Sequence, residues 1–209
     1  MSRPWARGCF HYSRDGQALP IQEDWVLWGN DDAPILSGRR WVQGQAVLRI
    51  RARYAGAHCQ HLSLRWQTRA KDAPQYWTYR KRGNRLLVRC GPEVARLMEL
   101  PAGCALFPLL RAATPFLIRS LGEAGGRIVL PNIGRSPEQP GFLQPLISER
   151  SLQQEPQEPG HGQTWRMVGG PYQPPGACFE LDARGLLLRY QWQAPDGLWL
   201  CEEASASPR

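Results

Sequence analysis

Two arginines, Arg111 and Arg119, sit inside "CALFPLLRAATPFLIRSLGEAGG" (104–126), a segment apolar nearly all round. A guanidinium in such surroundings needs solvent or a partner. One reading is that both snorkel out at the ends of the segment. The other is that one of them grips a carboxylate or phosphate headgroup at a pocket mouth, since its fork of N–H donors matches an oxyanion. Aromatic residues supply the rest of such a site. Trp66, Trp77, Tyr79, Trp165, Tyr190 and Trp192 fall on strand faces, with Tyr54 and Phe179, while Phe107 and Phe116 flank Arg111. A concave surface built from them would hold the apolar part of an amphipathic molecule; the ordinary alternative is that they pack as solid core. The candidate ligand-binding set is thus Trp66, Trp77, Tyr79, Phe107, Arg111, Phe116, Arg119, Trp165, Tyr190 and Trp192.

Other chemistries find little to stand on. "HCQH" offers His58, Cys59 and His61, but positions 58 and 61 on a strand face opposite ways, so these read as turn or surface residues and no metal is expected. His161 falls in the polar stretch "QQEPQEPGHG" (153–162), which reads as a mobile loop. The six cysteines (9, 59, 90, 104, 178 and 201) include no CxxC pair, so neither a zinc site nor a redox motif is indicated. There is no G-x-S-x-G, no P-loop and no G-x-G-x-x-G, and no cofactor is implied. Asp31-Asp32 and Glu202-Glu203 are adjacent acids near strand ends, more suited to solubility than to acid–base work.

The elements that must position these residues are mostly strands. "AVLRIRARY" (46–54) alternates apolar side chains with three arginines, and "HLSLRWQT" (61–68) alternates likewise. "QYWTYRKRGNRLLVR" (75–89) reads as a hairpin turning at Gly83-Asn84, with "EVARLMELP" (93–101) as a strand paired to its second arm. "DWVLWG" (24–29), "RIVLP" (127–131), "PLISERSL" (145–152), "QTWRMVGG" (163–170), "ACFELD" (177–182), "GLLLRYQW" (185–192) and "LWLCEE" (198–203) follow the same logic. In "FELDARGLLLRYQW" (179–192) alternation places Leu186, Leu188, Tyr190 and Trp192 on one face and Leu187, Arg189, Gln191 and Gln193 on the other. Residues 1–24 carry no clear period and read as a loose start with at most one strand; 204–209 read as a frayed tail. Residues 104–126 alone look helical: Pro108 suits a first helical position and Gly125-Gly126 a stop. Sequential strands with short turns pair antiparallel, and a strongly twisted sheet curls. The expected fold is therefore all-β: one domain over 1–209, a curled antiparallel half-barrel sheet with a central helical plug.

Composition agrees. Gly 21 and Pro 19 among 209 residues argue against a helical bundle, and nine Trp suit cores, pocket walls or interfaces. The net charge of +8 is carried almost wholly by Arg; the arginines look dispersed along strands, a solvated face rather than a nucleic-acid patch, so no specific nucleic acid is expected. "MSRPWARGCFHYSRDG" lacks an apolar signal core and no run reaches the length of a membrane span, so a soluble, cytoplasmic protein with reduced thiols is expected.

The stretches "YWTYRKRGNRLLV", "LFPLLRAATPFLIRSL", "GGRIVLPNI" and "FELDARGLLLRYQW" follow one another in an order that resembles the half-barrel clasp of bacterial lipoprotein carriers (the LolA/LolB-like fold) and the putative glycolipid-binding proteins of unknown function. That resemblance implies a half-barrel closed by a plug and no catalytic residues. The expected function is non-catalytic binding of a hydrophobic or amphipathic small molecule, such as a lipid or glycolipid. The alternatives are a small-molecule cyclase or isomerase using the same pocket, and an Arg-mediated adaptor for acidic partners.

Overall fold

The structure is a computed structural model that describes residues 4–69, 71–156 and 162–204. Alternation of apolar and polar side chains dictates most of it. In β4 (Gln45–Ala55), Leu48, Ile50, Ala52 and Tyr54 are buried while Arg49, Arg51 and Arg53 are exposed, the signature of a strand with one wet face. The inward phase continues from strand to strand. Ile50 lies opposite Leu64 of β5 (His58–Trp66), Leu64 opposite Trp77 of β6 (Gln75–Arg82), and Trp77 opposite Cys90 of β7 (Arg85–Cys90). The short β8 (Arg96–Glu99) pairs with β7 and forms one edge.

On its other side β4 pairs with β3 (Ile35–Val42), β3 with β2 (Gln17–Trp28), and β2 with β1 (Ala6–Arg14). The N-terminal stretch is therefore not a loose start: it holds two full strands. Their period is masked because the inward positions of β2 are Ile21, Glu23, Trp25 and Leu27, an acid within an apolar row. β3 had no counterpart among the sequence expectations, since Gly38, Arg39 and Arg40 interrupt its alternation.

The second half runs from the opposite edge. β9 (Ala105–Leu106) is parallel to β10 (Gly126–Pro131), and β11 (Pro145–Gln154), β12 (Thr164–Gly169), β13 (Tyr172–Leu181), β14 (Leu187–Ala194) and β15 (Gly197–Glu203) follow antiparallel. β15 then pairs with β1, giving one 15-stranded sheet in the order β8 to β1, then β15 to β9. The chain starts in mid-sheet, walks to one edge, crosses to the other and walks back. Register shifts at His11/Ser13, Arg53/Tyr54, Met167/Gly169 and Glu180/Leu181 are bulges that bend strands and increase twist. The sheet curls without closing, and β9 comes close to β5. The bulge at Glu180/Leu181 also corrects the expected facing of β14: Leu188 is the extra residue, it is exposed, and Leu187 turns inward beside Leu186 and Tyr190.

The plug is much less helical than expected over 104–126. Only α1 (Thr114–Leu121) is α-helix, preceded by one 3-10 turn at Arg111–Ala113. Ala105–Leu106 is spent on strand pairing, and the Phe107 N–H donates to the Val129 carbonyl at 2.9 Å. Pro108 then blocks any helix start before it, and Leu109 takes a φ of 67°, rare for a residue with a Cβ. α1 begins with Pro115 in its first turn and ends at Gly122. Leu110, Phe116 and Leu117 are buried. A Cβ at Gly38 would stand 2.5 Å from Leu110 Cδ1, so β3 and the plug touch only because that position has no side chain. Of the loop expected at 153–162, Gln153 and Gln154 belong to β11 and 157–161 lie outside the described residues, His161 among them; so do 205–209 of the expected tail. No described helix is long and apolar enough to cross a membrane.

Glu23 holds the plug in place. It is 1% exposed. Its Oε1 accepts from Arg40 Nε and Nη2 at 2.8 and 2.6 Å, and its Oε2 accepts the Arg111 backbone N–H at 2.8 Å. Arg40 Nη2 also donates to the Leu109 carbonyl at 2.8 Å. Burial acts to lower the Arg40 pKa, but Glu23 and Tyr12 together outweigh it and the guanidinium is held above its ordinary value. Glu23→Ala leaves that cation uncompensated and an N–H unpaired, and is expected to cost about 3–5 kcal/mol in urea unfolding; a loss within error would refute the clamp. The thiols give a second check. All six cysteines are free, and burial pushes Cys59 and Cys201 up to about 12. Thiol titration near neutral pH is expected to leave Cys59, Cys104 and Cys201 unreacted in the native protein and to count six groups in denaturant.

Candidate functional site

Between the plug and the β10–β15 side of the sheet lies a cavity of about 570 Å³, within the range of small-molecule sites. Its wall is mostly apolar. Phe107, Leu109 and Leu117 come from the plug; Ile128, Met167, Phe179, Tyr190, Trp192 and Trp199 come from successive strands. Ile133 and Leu146, both exposed, mark its mouth.

Three arginines line this wall: Arg40, Arg111 and Arg150. Arg40 is neutralised by Glu23. Arg111 and Arg150 have no carboxylate partner among the described residues. The Arg111 guanidinium lies 4.0 Å from the centre of the Tyr190 ring, and its Nη1 donates to the Tyr172 hydroxyl at 2.7 Å. Its Nε finds no acceptor. Burial acts to lower its pKa, Tyr172, Tyr190, Tyr12 and Cys201 act the other way, and the guanidinium is held above its ordinary value. Arg150 is 6% exposed; its Nη1 donates to Ser148 Oγ and to the Glu149 carbonyl, and its guanidinium lies 5.8 Å from the Tyr172 ring centre. Burial pulls its pKa below the ordinary arginine value, with Tyr172 acting the other way. The guanidinium fits because residue 170 is glycine: a Cβ there would stand 2.2 Å from Arg150 Nη1. Two cations thus meet at one tyrosine in a mostly apolar wall. Thr114 Oγ1 and Trp192 Nε1, also on lining residues, have no hydrogen-bond partner among the described residues. Buried polar groups are nearly always paired, and here several unpaired ones gather on one wall.

The expected site residues divide. Phe107, Arg111, Tyr190 and Trp192 line the cavity. Trp192 packs edge-on against Tyr172 at 5.3 Å between centroids, and Tyr190 packs on Phe179 at 5.1 Å. The others lie elsewhere. Trp66 packs edge-on against Phe142, Trp77 stacks on Tyr79, and the Tyr79 hydroxyl donates to the Leu143 carbonyl. Phe116 stacks on Tyr54 at 4.4 Å. Trp165 is buried beside Phe179, its Nε1 donating to Gln163. Trp77, Tyr79, Phe116 and Trp165 are core, and Trp66 is half-buried at its margin. Arg119 is exposed on α1 with its guanidinium over the Phe116 ring, the snorkelling arrangement. Sequence reasoning missed Arg40, Arg150 and Tyr172. Arg150 had a signal: it shares the inward phase of Leu152 in "ISERSL". No group of three or more described His, Cys, Asp or Glu residues could hold a metal ion.

No family model matches the sequence, and no curated protein matches it. Among solved structures, the chain is similar to the crystal structure of a β-barrel-like protein of the domain of unknown function DUF1849 from Brucella abortus, with a TM-score of 0.50 and 9% identity over 95% of this chain and 94% of that one. At that identity the likeness speaks for the fold alone, a barrel-like sheet running nearly the full length of both chains.

Proposed function

We propose that this protein binds an amphipathic small molecule, an apolar body carrying an anionic head, in the cavity between plug and sheet. One observation carries the reading: Arg111, desolvated in an apolar wall, has no carboxylate to balance it among the described residues, and Arg150 stands across Tyr172 in the same condition. A buried cation without a counter-charge is unfavourable, and an incoming oxyanion supplies the missing charge and the acceptor for Arg111 Nε. Tyr190, Trp192 and the plug leucines hold the hydrocarbon part. A lipid or glycolipid acid meets both requirements, in keeping with the resemblance to half-barrel lipid carriers.

The test uses a fluorescent fatty acid, dansyl-undecanoic acid, and its uncharged methyl ester. The wild type is expected to bind the acid saturably and the ester more weakly. Arg111→Leu should cost the acid about 1.5–3 kcal/mol, roughly ten- to a hundredfold, and the ester little. Trp192→Ala should weaken both probes while lowering stability by less than the ~3–5 kcal/mol of a fully packed aromatic. Absence of saturable binding of either probe to the wild type overturns the reading; equal loss for acid and ester in Arg111→Leu removes the anionic head from it.

A further inference from the structure

The positive charge of this chain is not spread evenly. Residues 33–92 hold thirteen Lys and Arg and a single acid, Asp72, whereas the rest of the chain holds thirteen basic and seventeen acidic residues. A general preference for arginine codons would not deplete acids from one stretch and enrich them elsewhere. The fold turns this bias into a surface, because residues 33–92 build β3 to β7, and the outward positions of those strands lie side by side.

Cross-strand register sets the pattern. Arg39 of β3 lies opposite Arg49 of β4, which lies opposite Arg65 of β5. Arg53 lies opposite His61, and His61 opposite Arg80 of β6. Arg89 of β7 sits one row over, opposite Thr78. Arg39 is paired with Asp24. Arg49, Arg51, Arg53, Arg65, Arg80 and Arg89 pair with no carboxylate among the described residues, and no outward position of β4 to β7 is acidic. His61 registers the field: burial and then Arg80 and Arg53 hold its pKa below the ordinary histidine value. The six cations occupy a patch of roughly 14 by 13 Å. Like charges directly opposite on a sheet are destabilising, so a face composed this way calls for an anionic partner.

The neighbouring edge indicates which kind. Leu87, between Arg85 and Arg89 and opposite Arg80, is exposed on the same face, and so is Leu97 of β8 opposite it, at 61%. Val94, in the turn before β8, is 88% exposed. Aliphatic side chains have nothing to contact on a phosphodiester backbone, and the patch has one exposed ring, Tyr76, where single-strand binders use aromatic platforms. Basic residues beside protruding aliphatic ones suit the headgroup–hydrocarbon boundary of an anionic bilayer.

We infer that the outer face of β4 to β7, with the β8 edge, docks on an anionic membrane surface: the arginines meet lipid headgroups, and Leu87, Val94 and Leu97 enter the boundary below them. This inference is independent of the cavity and of what fills it.

The experiment is co-sedimentation of the full chain with vesicles of phosphatidylcholine alone and of phosphatidylcholine mixed with phosphatidylserine, alongside binding to a short DNA duplex. Expected are binding to the mixed vesicles at least about tenfold tighter than to the neutral ones, steep weakening with added salt, and at least about a tenfold loss on Arg51→Glu with Arg80→Glu. Leu97→Asp should weaken vesicle binding further. These positions are solvent-facing; should circular dichroism show the double Glu variant unfolded, Arg51→Gln with Arg80→Gln decides instead. Binding to neutral vesicles as tight as to charged ones, no binding to either, or DNA binding tighter than vesicle binding and indifferent to Leu97→Asp, each overturns the inference.

Discussion

A buried carboxylate on β2 decides how the two halves of this molecule meet. Glu23 gives one oxygen to the Arg40 side chain and the other to the Arg111 backbone. The first contact neutralises Arg40. The second fixes the chain just after Pro108 and the left-handed Leu109, a conformation that persists only where its surroundings hold it. Because Glu23 takes the Arg111 N–H and leaves the guanidinium alone, that guanidinium stays free to face Tyr172 and Tyr190. Had the carboxylate met the side chain, the cavity would hold no unbalanced cation there.

The surplus of aromatic residues is divided by the shortness of the plug. α1 covers the β4–β6 side, where Phe116 stacks on Tyr54 and the rings of β5 and β6 pack solidly. Two turns of helix cannot also cover the opposite wall. The rings of β13 to β15 therefore stand beside open space, with Tyr172 reaching across to both Arg111 and Arg150. Core and cavity are two halves of one concave surface, and what separates them is where the helix stops.

The sheet was legible wherever inward positions were apolar and the ladder regular, as in β4 and β6; in β14 the bulge at Glu180/Leu181 reversed the facing of Leu187 and Leu188. It was illegible where an inward position carried a charge that tertiary contacts satisfy. Glu23 hid the period of β2, although Ile21, Trp25 and Leu27 share its phase. β11 was read as a strand, but its inward charge, Arg150, was not read as a wall residue. Pairing Ala105–Leu106 with a distant strand removed the first turn of an otherwise plausible helix, a choice no local pattern reveals. Tyr172 lies in "GGPYQPPG", the stretch between the expected strands 163–170 and 177–182, and only the sheet places it between two cations. The arginines that look scattered along the chain are adjacent in space because consecutive antiparallel strands bring every second residue onto one face.

The seam between β1 and β15, where Tyr12 lies opposite Cys201, has a kinetic side. Strands β1 to β8 are joined by near neighbours in sequence and can pair as they emerge from the ribosome. The free edge of β1 has to wait for a partner far along the chain, as Cys201 is from Tyr12, roughly 10–40 s later at about 5–20 residues per second. Contacts of such long sequence separation slow folding, and an unpaired edge invites other strands in the interval. The paired stretch of β1 carries His11 and Arg14, charge-bearing or polar groups that discourage such company. β15 is the strand that removes the exposed edge from the middle of the sheet, so the two halves become one sheet only when β15 pairs with β1.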